Sequence, residues 1–287
     1  MEAISRWLVL EIREQMNEIQ THIITNAADA LSRIRSFRFE PGDKLIKLDM
    51  KDFYYSGSAE QLISDVLRMW DPRDKRNRLR RQAMELLLHN QLVRGKCWPP
   101  EGEGCFRVLT GSGMGLIHSG DIADCAFLML VENWLNHPDV RQGFGVRGYV
   151  RFRDDALLVC NSSRMQQLIK ILKAKARYFN IIVERISSEA VHFLEFCIYV
   201  NPDRGRLQAE YIFKDRPTIP LATTSMHNMC VHRGWPRMVV KNIIKYSETR
   251  REGLEEVAEY KERLRASFTT IQKTERSKCR ETASTTG

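Results

Sequence analysis

The sequence predicts an α+β fold in which an antiparallel sheet packs on helices and a helical segment follows at the C-terminus. Three observations carry that prediction. Residues 149 to 160 form two apolar runs that meet at Arg153, Asp154 and Asp155, the pattern of two buried strands joined at a hairpin tip. Residues 4 to 34 repeat apolar side chains at helical spacing, and beyond Pro217 the pattern turns helical again, over 236 to 247 and 250 to 268.

Taken in order, Leu8, Ile12, Met16, Ile19, Ala27, Leu31 and Ile34 predict two packed helices with a break near Thr25 and Asn26. A turn at Pro41-Gly42-Asp43 leads into a short strand over 45 to 49 that ends on the carboxylate of Asp49. Helices follow over 59 to 70 and 78 to 93. Lys75, Arg76, Arg78, Arg80 and Arg81 crowd the start of the second, where the helix dipole disfavours cations; they read equally as a phosphate-facing cluster or a solvated face. A strand at 105 to 109 precedes a buried helix over 121 to 135, with Ser119 or Asp121 as its cap. After the hairpin, Ser162 or Ser163 caps a helix whose core face is Met165, Leu168, Ile169, Leu172 and Ala176. Strands are expected at 181 to 184, 190 to 200 and 206 to 213, and the polar residues 269 to 287 read as a disordered tail.

Composition narrows the classes. Apolar residues make up 43% of 287, enough for a core, and 45 basic against 36 acidic residues leave +9, which permits a polyanionic partner. Seven scattered cysteines, without paired CxxC spacing, argue against a disulfide framework or zinc ribbon, and His227, Cys230 and His232 fit no common zinc pattern. No run of about 18 apolar residues suggests a membrane span, and Glu2, Glu11 and Glu14 disfavour a transit peptide. The chain therefore reads as intracellular, with no membrane partner.

Chemistry concentrates in three segments. Neighbouring carboxylates at a turn raise each other's pKa unless a cation neutralises them, so Asp154 and Asp155 ask for a metal. Two-metal phosphoryl transfer needs carboxylates from separate strands around ions about 3.5–4 Å apart, and Asp49 is the natural partner of Asp154. Asp52 reads better as a turn or cap acid. Between the two acidic segments, Gly111, Gly113 and Gly115 leave the backbone bare for close approach by a base or sugar, and no Lys-Ser or Lys-Thr pair makes this a Walker loop.

In this order, LDMKDFYY, GMGLIHSG and FRDD resemble the A, B and C motifs of the reverse transcriptases. Met114-Gly115, Phe193-Leu194-Glu195, Phe213-Lys214 and Ser225-Met226-His227 look like the Penelope-like branch, related to telomerase. The resemblance runs from near residue 4 to about 265. It implies a polymerase palm with residual finger helices over 1–216, a helical thumb over 217–268, and fingers largely missing, because the family's finger motifs precede helices like those with which this sequence begins. It further implies two Mg2+ ions, with Mn2+ as a substitute, held by Asp49, Asp154 and the less essential Asp155. Tyr54 matches the aromatic gate that favours deoxynucleotides. The backbone of Asp52 and Phe53 would lie beside the triphosphate; Met114, Gly115 and Ser119 would line the nucleotide and template; Phe152 and Arg153 would meet the primer end. Gly120 stands where the family has proline, and Lys173, Lys175 and Arg185 are the candidates for the proton donor to pyrophosphate. The expected partners are an RNA template, a DNA primer and dNTP. The alternative reading is a truncated, catalytically inactive retroelement remnant that binds nucleic acid.

Overall fold

The computed structural model describes residues 1–19, 22–96, 103–201, 205–211, 229–247, 249–262 and 265. Residues 212–228, which hold the Phe213-Lys214 and Ser225-Met226-His227 matches, and the tail at 269–287 lie outside that set. Helix α1 (Glu2–Ile19) and helix α2 (Ala27–Ser36) occupy the first predicted helical stretch. The break falls where Asn26 caps α2, its side chain accepting from the Asp29 N–H. The two helices part company after it: α1 packs chiefly on later helices at Asn77–His89 and Ser119–Phe127, and α2 on the strand Val146–Phe152.

Strand β1 (Asp43–Lys51) leads through a short 3-10 turn, Phe53–Tyr55, into α3 (Ala59–Leu67) and α4 (Asn77–His89). Ser58 and Gln61 form a reciprocal capping box at the start of α3. A hairpin of β2 (Leu92–Lys96) and β3 (Glu103–Arg107) precedes α5 (Ser119–Phe127), which runs on through a π-helical turn, Leu128–Glu132, into α6 (Asn133–Leu135) and α7 (Pro138–Gly143). The hairpin of β4 (Val146–Phe152) and β5 (Asp155–Asn161), helix α8 (Met165–Ala176) and β6 (Asn180–Ser187) complete this part. The sheet order is β4-β5-β1-β6, antiparallel throughout. The fold is α+β, as the sequence predicts.

Alternation along these strands decides which side chains meet the helices. Ile46, Leu48 and Met50 of β1 and Ala156, Leu158 and Cys160 of β5 join the core with α1, α3, α4, α5 and α8. Lys47, Asp49 and Asp155 consequently occupy the opposite face. One face of the sheet is therefore packed by helices, and the other carries these charges alongside buried Leu45, Leu157 and Val159.

Strands β7 (Ala190–Phe193), β8 (Phe196–Asn201) and β9 (Arg206–Tyr211) form a second sheet, and α9 (Met229–Tyr246) is followed by a helix over 250–262. By contact density the chain divides into Met1–Val191 with Val200–Arg206, and His192–Tyr199 with Leu207–Gly287. In the second unit Ile243, Val257 and Tyr260 are buried against Val239 and Val240.

Several local expectations are corrected. The single strand over 190 to 200 is two strands, because Phe193 and Phe196 are both buried. Residues three apart in one continuous strand would face opposite sides; Leu194, at φ 53°, makes the reversal instead. Neither Ser162 nor Ser163 caps α8: the Ser163 hydroxyl donates to Asn161 Oδ1 at 2.7 Å, and Arg164 holds the cap position without a side-chain bond. Arg80 is neither solvated nor phosphate-facing. It is buried, bonded to Glu11 Oε2 at 2.7 Å and Asp74 Oδ2 at 2.5 Å, and stacked 4.4 Å from the Trp70 ring. No helix among the described residues is long and apolar enough to cross a membrane.

Candidate active site

The β4–β5 hairpin closes on the Phe152–Asp155 pair, so Arg153 and Asp154 are its two loop residues. Arg153 has φ 56°, the left-handed conformation that a tight two-residue hairpin demands of its first loop position. Asp154 therefore sits in the turn and Asp155 opens β5, a refinement of the expectation that both acids occupy the tip. On its other side β5 pairs with β1, and the register sets Asp155 opposite Asp49. Directly opposed side chains in an antiparallel pair share a face, with Cβ atoms about 5 Å apart. The Met50 N–H donates to the Asp154 carbonyl at 2.9 Å, which ties the turn to the end of β1. The structure thus brings Asp49, Asp154 and Asp155 together at one end of the sheet.

Two residues that sequence reasoning missed complete the cluster. The β1–β6 register slips between Lys47 and Leu48, leaving Glu184 as an unpaired bulge residue. Lys47 Nζ lies 2.6 Å from Glu184 Oε2 and 3.6 Å from Asp155 Oδ1. Partial burial raises the Asp49 pKa, and Glu184, Asp154 and Asp155 raise it further. Burial likewise raises that of Asp155, opposed by Lys47 and reinforced by Asp154 and Glu184. The only sequence signal for Glu184 was a charge at the end of the apolar run Ile181-Ile182-Val183.

Asp52 occupies a turn at φ 55° without a side-chain cap bond, and its carbonyl accepts from the Tyr55 N–H at 2.8 Å and the Ser56 hydroxyl at 3.0 Å. It holds the N-cap position of the 3-10 turn through its backbone alone. Phe53 is buried, with its ring against Phe127 and Phe179; Tyr54 is half-buried, edge-on to Phe53. The glycine-rich loop is strapped to this turn: the Ser112 N–H donates to the Tyr54 carbonyl and the Gly111 N–H to the Gly57 carbonyl, each at 2.7 Å. Gly111 has φ 70°, and a Cβ there would fall 2.2 Å from the Tyr54 carbonyl oxygen. Gly111→Ala is therefore expected to cost about 2 kcal/mol, read as a lower denaturation midpoint at unchanged slope.

Gly115, at φ 92°, has nothing within 4 Å of where its Cβ would stand, so open space adjoins the backbone there, and Met114 beside it is exposed. Ser119 is buried instead of facing a ligand: its hydroxyl donates to the Gly113 carbonyl at 2.6 Å and meets the Ser112 hydroxyl at 2.8 Å. Those bonds, with the pairing of Asp121 to Arg13 at 2.7 Å, explain why neither Ser119 nor Asp121 caps α5; the cap position falls to His118. Phe152 is half-buried on the face opposite Tyr149 and Arg151. Arg153 turns back to pair with Asp124, and a Cβ on Gly120 would lie 2.6 Å from its guanidinium, so that side chain would have to shift to admit one. Of the candidate proton donors, Lys173 and Arg185 are exposed, and Lys175 lies 4.9 Å over the Trp134 ring.

The donors at the strand ends are hard carboxylate oxygens, and crowding of like charge disfavours their ionised forms without a counter-cation. Both properties suit a magnesium-class ion. Among the described residues no three His, Cys, Asp or Glu side chains are grouped so as to hold a metal ion, so the fit is one of donor chemistry alone.

No protein-family model matches the sequence, and no curated protein matches it. Solved structures do. Telomerase from Candida albicans in complex with the TWJ fragment of telomeric RNA aligns with TM-score 0.58 at 13% identity, over 93% of this chain and 49% of that one. Apo telomerase from Candida tropicalis gives 0.57 at 14%, over 94% and 51%, so this chain spans about half the length of the telomerases it matches. An RNA polymerase complex inside a dsRNA virus gives 0.53 at 9%, over 87% and 23%. The shared property is the fold, that of polymerase domains.

Proposed function

We propose that this chain is the palm and thumb portion of an RNA-directed DNA polymerase of the Penelope-like, telomerase-related branch, with residues 1–216 as palm and 217–268 as thumb. The carrying observation is the register that sets Asp49 opposite Asp155 with Asp154 in the adjoining turn. Acids drawn from two strands to one sheet end are what nucleotidyl transfer requires, and the polymerase-like fold supports the same reading. Asp49 and Asp154 would hold two Mg2+ ions, which when bound lower the pKa of the primer hydroxyl and neutralise charge on the leaving pyrophosphate. Asp155, already shared with Lys47, contributes less. Tyr54 stands in the middle of the 3-10 turn after β1, where an aromatic side chain would exclude a 2′ hydroxyl. Open backbone at Gly115 admits a base, and the net charge of +9 favours a nucleic-acid duplex.

The test is extension of a DNA primer on an RNA template. Mg2+-dependent incorporation is expected, Mn2+ substituting, with dNTP preferred over rNTP. Salt-sensitive binding of the duplex without extension in either metal would instead establish the binding-only remnant.

A further inference from the structure

Alternation along β4 sends Arg151, like Tyr149, to the core face, where a guanidinium is costly. Its side chain is 0% exposed and lies between aromatic rings, 5.1 Å from Phe127 and 5.6 Å from Phe53. The compensating acids come from the helix beneath. The π-helical turn presents Glu132, which accepts from Arg151 Nε at 2.6 Å and Nη2 at 3.0 Å; Asp124 of α5 accepts from Nη1 at 2.5 Å. Glu132 is held in turn by the Tyr149 hydroxyl at 2.8 Å and lies 2.9 Å from His22 Nε2. The main chain of Arg151 is fixed too: its N–H donates to the His22 carbonyl at 3.0 Å, and its carbonyl accepts from the Ile24 N–H at 2.8 Å.

One bond of this set is superfluous to neutralising charge. Nη1 also donates, at 2.8 Å, to the carbonyl of Arg153, which belongs to the peptide joining Arg153 to Asp154. Arg153 has positive φ without being glycine, a conformation that persists only when its surroundings impose it. We propose, on the polymerase reading above, that Arg151 is a positioning residue: its guanidinium fixes the orientation of the Arg153–Asp154 peptide and so sets the Asp154 carboxylate against Asp49. Stability alone does not call for such a group, because well-packed apolar side chains commonly replace buried ion clusters without loss. The fork of five donors is what lets one residue neutralise two acids and still reach a backbone carbonyl; lysine, a point charge, does not do both.

Two variants test the assignment. Arg151→Lys keeps the charge, and the double variant Arg151→Met with Glu132→Gln removes it together with its main counter-charge, so that folding survives if the single change does not permit it. Exchange of the Met50 amide, whose partner is the Asp154 carbonyl, reads the geometry of the turn without reference to activity. Expected in the folded variants are faster exchange at Met50 by about 10-fold, with amides of α8 unaffected, and a rise of 10- to 100-fold in the Mg2+ concentration giving half-maximal extension at unchanged KM for primer–template, as for lost outer-shell support of metal ligands. Met50 exchange at the wild-type rate in a folded variant would overturn the assignment. Quickened exchange in a protein that, even as wild type, extends no primer would retain the structural role of Arg151 and refute the polymerase reading.

Discussion

Asp154→Asn is expected to reduce Mg2+-dependent primer extension by about a thousandfold or more, the scale on which a preorganised electrostatic group at a reacting centre acts. Asp49→Asn is expected to match it, because the two carboxylates come from separate strands and neither substitutes for the other. Asp155→Asn should fall well short, since the Lys47 ammonium at 3.6 Å already engages that carboxylate. The same substitutions should leave the fold at least as stable. Asp49 and Asp155 have raised pKa values, from burial first and then in part from Asp154, so removing the Asp154 charge relieves repulsion. An Asp154→Asn protein that melts no lower than wild type but has lost extension separates chemistry from folding; one that extends primer at the wild-type rate would falsify the proposed site.

The acids at this site were legible because their spacing survives translation into structure. A strand carrying Asp49 and a hairpin tipped by Asp154 are local patterns, and β1 and β5 both read as apolar strands, β5 being buried along its whole interior. What surrounds them was not. Glu184 reaches the cluster through a bulge, which depends on the partner strand and leaves no periodicity of its own. Arg151 and Glu132 looked in sequence like ordinary charges. Only alternation along β4 and a π-helical turn inside an otherwise regular helix bring them face to face. Ser119 failed in the opposite way: its type and place fit a cap or a ligand contact, yet the tight loop from Gly111 to Gly115 had carbonyls to satisfy and took the hydroxyl for itself. Competition for hydrogen bonds within a few residues is decided by geometry, and the Ser163 hydroxyl is likewise taken up by Asn161 Oδ1, leaving Arg164 at the cap position of α8.

Glu132→Ala is expected to destabilise the protein by about 3–5 kcal/mol, because it strands the fully buried guanidinium of Arg151 with only Asp124 to neutralise it and leaves the Tyr149 hydroxyl without its acceptor. Denaturant unfolding at neutral pH measures this directly, and a loss below about 1 kcal/mol would mean that water reaches the cluster. Acid adds an independent check. Burial opposes the charge on Glu132, but Arg151 and His22 outweigh it and hold the folded pKa well below the ordinary carboxyl value. A group with a depressed folded pKa contributes in full above its unfolded pKa, about 4.3, and loses that contribution as the pH falls toward the folded value. Wild-type stability should therefore decline on acidification below about pH 5, and Glu132→Gln, which keeps shape without a proton to bind, should start lower and show a shallower acid limb. Parallel acid limbs in the two proteins would place the ionisation elsewhere in the core and remove Glu132 as the charge that allows Arg151 to lie beneath the hairpin.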